Sequence, residues 1–76
     1  MVKVILESWN EGLKKVSLTK LQVEKLGLSL KESKGNVDLL LDDEKVVLEV
    51  IDETLAKEFL TIATRMGVNC RIVVQK

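Results

Sequence analysis

The sequence predicts an α+β fold, a two-layer sandwich with the element order β-α-α-β-α-β. Three observations support this class. β-Branched apolar runs occur at the start, the middle and the end of the chain, two segments of helical period end at a glycine, and a helix-start pattern lies between them. The chain has 76 residues, of which 46% are hydrophobic, so we expect one small core and a single domain over residues 1–76.

The first strand is predicted at Val2–Glu7, where alternation is mixed with a short β-branched run. Ser8–Lys14 loses this periodicity and contains asparagine and glycine, which predicts a loop. The loop contains Trp9, the only tryptophan. This side chain is either a lid over one end of the core or an exposed contact anchor, since tryptophan is enriched at binding hot spots.

Two helices are predicted next. Lys15–Leu26 has apolar residues at helical spacing, and Gly27 follows as a residue that readily ends a helix in the left-handed conformation. Ser29 and Glu32 then have the spacing of a capping box, in which each side chain satisfies an exposed backbone N–H. The second helix is therefore predicted from residue 30 to about residue 40.

The second half of the chain predicts two strands around a third helix. Asp42–Glu44 is an acidic turn, Lys45–Ile51 is rich in β-branched residues, and Asp52 suits a helix N-cap. The third helix ends at Gly67 and is followed by the last strand, Asn69–Val74. Its apolar stripe, predicted to face the core, is Leu55, Phe59, Ile62 and Met66.

The connections between these elements predict the sheet topology. A strand-helix-strand crossover in one sheet is right-handed, and two parallel strands joined in this way leave room for another strand between them. We therefore expect a three-stranded sheet of order two-one-three. The first strand is antiparallel to both neighbours, and the helices cover one face.

The composition argues against an enzyme, a cofactor site or a metal site. Histidine, the usual general acid-base group near neutral pH, is absent. Cys70 is the only cysteine, which excludes an internal disulfide and a zinc site, and we expect a buried, inert thiol in a cytoplasmic protein. Asp42–Glu44 lacks the other ligands of a calcium loop, so a solvated turn is favoured. No stretch has the pattern of a signal peptide or a membrane-spanning helix.

The distribution of charge is more informative than its sum. The chain has 12 basic and 12 acidic residues, and this neutrality argues against nucleic-acid and anionic-membrane binding. Residues 14–34 contain six lysines against two glutamates, a net charge of +4, whereas residues 35–58 contain eight acids against two lysines, a net charge of −6. The two helices could gather lysines on one side that attract an acidic protein. The alternative is that these lysines only solvate the outer helix face.

The chain resembles the C-terminal domain of the bacterial large-subunit ribosomal stalk protein, over nearly its whole length. The likeness rests on Val4–Leu6, on Lys15-Val16 followed by Lys20, on the run Gly27–Lys34, and on Met66-Gly67. The resemblance implies the fold above and a basic, apolar face on the first two helices that docks translational GTPases. Matching positions are Lys15, Val16, Lys20, Leu28, Lys31 and Lys34, together with Thr19 and Val23, which replace an apolar residue and an arginine of the family pattern. We expect a stand-alone relative that lacks the family's N-terminal dimerisation domain and hinge.

These observations predict a non-enzymatic protein-protein interaction module. Its expected partner is a protein with an acidic surface, such as a translation factor, with neither a membrane nor nucleic acid as the target. The alternative is an adaptor or regulatory protein for a partner unrelated to translation. The protease adaptor that reads destabilising N-terminal residues has a similar topology, but its characteristic histidine is absent here.

Overall fold

Residues 2–74, which the computed structural model describes, form six elements in the predicted order. They are β1 (Val2–Trp9), α1 (Lys15–Leu26), α2 (Leu30–Leu41), β2 (Val46–Val50), α3 (Glu53–Arg65) and β3 (Val68–Val74). The sheet order is β2-β1-β3, and β1 is antiparallel to both neighbours. The predicted fold class and strand order are therefore confirmed.

The core lies between the sheet and the helices. Val2, Val4 and Leu6 alternate along β1 with less buried residues, because successive side chains of a strand point to opposite faces. Phe59 of α3 is fully buried against this face, while the other members of the predicted α3 stripe, Leu55, Ile62 and Met66, are half-buried and pack against the core. The remaining buried apolar residues are Leu18, Leu21, Val37, Leu40, Val46, Leu48, Val50, Ala56, Ala63 and Val68.

Three of the helix ends have the caps that the sequence predicts. Gly27 follows α1 with φ +68°, in the left-handed region. Ser29 Oγ accepts a hydrogen bond from the N–H of Glu32 at 3.1 Å, so α2 begins at residue 30 as expected, although the reciprocal bond of a capping box, from the Ser29 N–H to the Glu32 carboxylate, is not formed. Asp52 accepts a bond from the N–H of Thr54 at 2.9 Å and begins α3. These local signals fix where the helices start and stop.

The first strand is longer than predicted, and Trp9 belongs to it rather than to a loop. The register of β1 against β3 shifts between Leu6 and Ser8, so Glu7 is the extra residue of a β-bulge. Ser8 then pairs with Asn69, whose Nδ2 donates to Ser8 Oγ at 2.8 Å. Trp9 pairs with Val68 and is 37% exposed. The loop is shortened to residues 10–14.

A candidate docking face on α1 and α2

A buried polar network joins α1 to α2. Gln22 is fully buried, and its Nε2 donates to the carbonyl oxygens of Leu18 at 3.3 Å and of Ser33 at 3.2 Å. Its Oε1 accepts a hydrogen bond from Asn36 Nδ2 at 2.9 Å. A buried amide is stable only when its polar atoms have partners, and two of these three bonds cross from one helix to the other. The network therefore fixes how the two helices lie against each other.

The outer surface of this helix pair carries a shallow groove with a volume of about 280 Å³. Residues from both helices line it, and the α1 start lies beside the α2 end, which means that the helices run antiparallel along the groove. The lining residues are Lys15, Val16 and Thr19 from α1, and Lys34, Val37, Asp38 and Leu41 from α2. Four of the eight predicted site residues are thus brought together in one concave surface.

Val16 is the most exposed apolar residue of this groove. Its side chain is 70% exposed, although valine is usually buried. Thr19, one turn further along α1, is buried, and its hydroxyl donates to the carbonyl oxygen of Lys15 at 3.0 Å. On α2, the exposed Leu30 precedes Lys34 by four residues and therefore lies on the same helix face. The groove combines apolar contact area with flanking lysines.

Lys15 and Lys34 of the groove, like Lys20 and Lys31 elsewhere on the two helices, are exposed and have no acidic partner within 4.0 Å among the described residues. The ion pairs within 4.0 Å in residues 2–74 involve Lys25, Lys45, Lys57 and Arg71. Lys15, Lys20, Lys31 and Lys34 are in none of them, and Asp38 is the single acidic residue that lines the groove. The surface therefore has a positive charge that is available to an incoming partner.

The other predicted site residues are placed differently. Lys20 and Lys31 are exposed on their helices, and Val23 is half-buried one turn after Thr19. Leu28, in the turn between the helices, lines a separate groove beside β2. It therefore does not share the surface of Lys15 and Lys34, because the turn carries its side chain to the far side of α2.

Several residues of the face were not predicted from the sequence. Gln22 is a polar residue in an apolar stripe, which is a signal for a buried hydrogen-bond network. Val37, Asp38 and Leu41 follow Lys34 at helical spacing and could have been placed on the same face by that period alone. Their proximity to Lys15 and Val16 depends on the helix packing and has no local signal.

Cys70 and the acidic side chains are the groups of residues 2–74 that bear on nucleophilic chemistry and metal binding. In residues 2–74 no group of three or more cysteine or acidic side chains could hold a metal ion. Cys70 is half-buried rather than buried as predicted, and this partial burial raises the pKa of its thiol above the ordinary value of 9.0, so the thiol form is favoured at neutral pH. No helix within this part of the chain has the length and apolar character needed to cross a membrane.

The chain was also compared with known proteins. No protein-family model matches it, and no curated protein does so either. The resemblance to the ribosomal stalk domain therefore stays a prediction.

Proposed function

We propose that this domain is a non-enzymatic interaction module that docks an acidic protein surface through the groove between α1 and α2. The observation that carries the proposal is the 70% exposure of Val16 beside lysines that form no ion pair in residues 2–74. An exposed valine offers apolar area, and covering that area with a partner is favourable because it removes apolar surface from water. The positive charge of the surrounding lysines favours a partner whose surface is negatively charged.

The two features would act at different stages of binding. Unpaired lysines accelerate encounter with an acidic surface, and this contribution falls as salt screens the charges. Val16 and the half-buried Leu41 would supply contact area once the partner is seated. The buried Gln22 network keeps the helices at a fixed separation, so little ordering would be needed on binding.

The resemblance to the stalk domain suggests a translational GTPase as the partner. Titrating isotope-labelled protein with a bacterial elongation factor, while following backbone amide shifts, tests this version. We expect shifts at Val16, Lys20 and Lys34 that saturate. Absence of any shift at these three positions, at factor concentrations where the stalk domain itself binds, would refute the translation role.

Charge-reversal variants test the face itself. Lys34→Glu should weaken binding by about tenfold and flatten its salt dependence, because a lysine of the groove is replaced by a repulsive charge. Lys57→Glu is the matched control, since it makes the same change in net charge at an exposed site on α3 outside this groove. Equal weakening by both variants would mean that only the net charge matters.

A second candidate function is an adaptor for a partner unrelated to translation. The groove offers a partner positive charge and apolar contact area, and neither property is specific to a GTPase. Affinity capture from a native extract, with Lys34→Glu as the negative control, separates the two candidates. Enrichment of elongation factors or ribosomal components that is lost in the variant supports the first, whereas a different acidic protein supports the second.

A further inference from the structure

We propose that the free edge of β2 is a second binding site, which takes a basic, β-branched extended peptide as an additional strand. β2 pairs only with β1, so its outer edge presents backbone N–H and C=O groups that no strand of residues 2–74 satisfies. A peptide that adds to such an edge gains backbone hydrogen bonds, and its alternating side chains supply specificity.

A groove of about 240 Å³ runs beside this edge. Leu26 and Leu28, at the turn between α1 and α2, form its apolar part together with Leu48 of β2. Both leucines are half-buried and pack against the core, so they form a firm surface next to the strand. The side chains of an added strand that point towards the helices would therefore meet an apolar wall.

The opposite face of the edge is also partly apolar. Val47 is 53% exposed on the uncovered face of the sheet, and Ile51, immediately after β2, is 88% exposed. Isolated exposed apolar residues are ordinary, but Val47 lies within β2 and lines the groove of Leu28, and Ile51 directly follows the same strand. An added strand would cover apolar surface on both sides of the sheet.

The charges around the edge select a basic peptide. Glu32 and Glu49 are the charged residues that line the groove, and neither forms an ion pair within 4.0 Å in the described part of the chain. The segment 42–53, which contains β2 and both of its flanks, has six acidic residues against one lysine, a net charge of −5. That lysine, Lys45, is already paired with an acid, because its Nζ lies 3.9 Å from Glu7 Oε2. A peptide with lysine or arginine at alternate positions complements this charge.

The site is distinct from the docking face proposed above. The groove beside β2 shares no lining residue with the groove of Lys15 and Val16, and the two have opposite charge. The proposal therefore does not rest on the proposed function, and either can fail without the other. One domain could hold an acidic partner on the helices and a basic segment on the sheet edge.

A synthetic peptide of sequence KVKVKVK, blocked at both ends, is a suitable probe. We expect saturable amide shifts centred on Val46–Val50, and slower hydrogen exchange of the β2 amides that face the peptide. The control peptide has the same sequence with alternate backbone nitrogens methylated, which keeps the charge and removes the strand pairing. It should not bind. If it binds as tightly as the parent peptide, or if the shifts centre elsewhere, the strand-addition proposal is wrong.

Protein variants provide the second test. Glu49→Lys should raise the Kd of the probe by at least about fivefold, whereas Glu24→Lys, an equal charge change on the exposed face of α1, should leave it within about twofold. If Glu49→Lys does not fold, Glu49→Gln serves with a smaller expected increase. Equal effects at both positions would overturn the proposal. So would β2 protection that grows with protein concentration in the absence of peptide, because the occupant would then be a second copy of the chain.

Discussion

Gln22 and Ser33 join the two helices of the candidate docking face. The Gln22 side-chain nitrogen donates to the backbone oxygen of Ser33 at 3.2 Å, at a point where both residues are fully buried. Ser33 is itself held by a bond from its hydroxyl to the carbonyl oxygen of Ser29 at 2.8 Å. The contact therefore links the middle of α1, through Ser33, to the cap that begins α2.

Replacing Gln22 with a methionine of similar volume should lower the free energy of unfolding by about 1–2 kcal/mol, because the hydrogen bonds to Ser33 and Asn36 are lost in a buried position. Urea unfolding followed by circular dichroism measures this change. Glu24→Gln, on the exposed side of the same helix, should stay within about 0.5 kcal/mol of the wild type. A Gln22→Met protein as stable as the wild type would show that the network adds no net stability.

Gly67 and Gly35 should respond in opposite directions to alanine. Gly67 has φ +99°, and an added Cβ would lie 3.3 Å from Leu13 Cα, so Gly67→Ala should destabilise the fold by about 1–2 kcal/mol. Gly35 lies within α2, with no atom near the position of its Cβ, so Gly35→Ala should stabilise by about 0.5–1 kcal/mol. Thermal unfolding of both variants measures the pair. Destabilisation by Gly35→Ala would mean that this helix position is constrained in a way its surroundings do not show.

The N-cap of α3 should contribute about 1 kcal/mol to the free energy of unfolding. Asp52 accepts the N–H of Thr54 at 2.9 Å, so Asp52→Ala leaves that donor without its partner. Asp42→Ala is the matched control, because Asp42 follows the end of α2, where a carboxylate faces the negative end of the helix dipole. We expect no loss of stability from the control. Comparable urea midpoints for the two variants would contradict the capping role.

The parts of this fold that follow from local chemistry could be predicted from the sequence. Lys15–Leu26 has the predicted limits of α1, because helical period and Gly27 are both encoded within a few residues. The order of strands followed from the right-handed crossover. The bulge at Glu7 could not be predicted, because it depends on how β1 meets β3, more than sixty residues further along the chain. For this reason the sequence predicts a loop at Trp9, where the structure has the end of β1.

The candidate site, like the fold, has some features that local sequence predicts and others that depend on tertiary contacts. The resemblance implies one surface for eight residues, and four of them, Lys15, Val16, Thr19 and Lys34, line the groove. The resemblance also implies Leu28, yet this residue lines the groove beside β2. The direction of a side chain in a turn depends on the backbone path between the helices, which residue spacing does not specify. Pairing of the lysines with acids likewise depends on tertiary contacts.

The Cys70 thiol should make the fold sensitive to alkaline pH. Burial raises its pKa above 9.0, a contact with the Thr64 hydroxyl at 3.7 Å lowers it in part, and the negative charge of Glu7 raises it further. The folded state therefore holds this proton more tightly than the unfolded state does. The resulting contribution to stability is fully present below about pH 9, and it is lost as the pH rises through the pKa of the folded protein.

Two measurements check this prediction. Urea midpoints should fall more steeply between pH 8 and pH 11 for the wild type than for Cys70→Ala, in which lysine titration is unchanged and the thiol is absent. Iodoacetamide should also alkylate the native protein at pH 8 more slowly than it alkylates the urea-unfolded chain, because the thiolate is the reactive form. Urea midpoints of the two proteins that change in parallel with pH, together with equal alkylation rates for the native and the unfolded protein, would show that the Cys70 thiol has neither a raised pKa nor reduced accessibility in the fold.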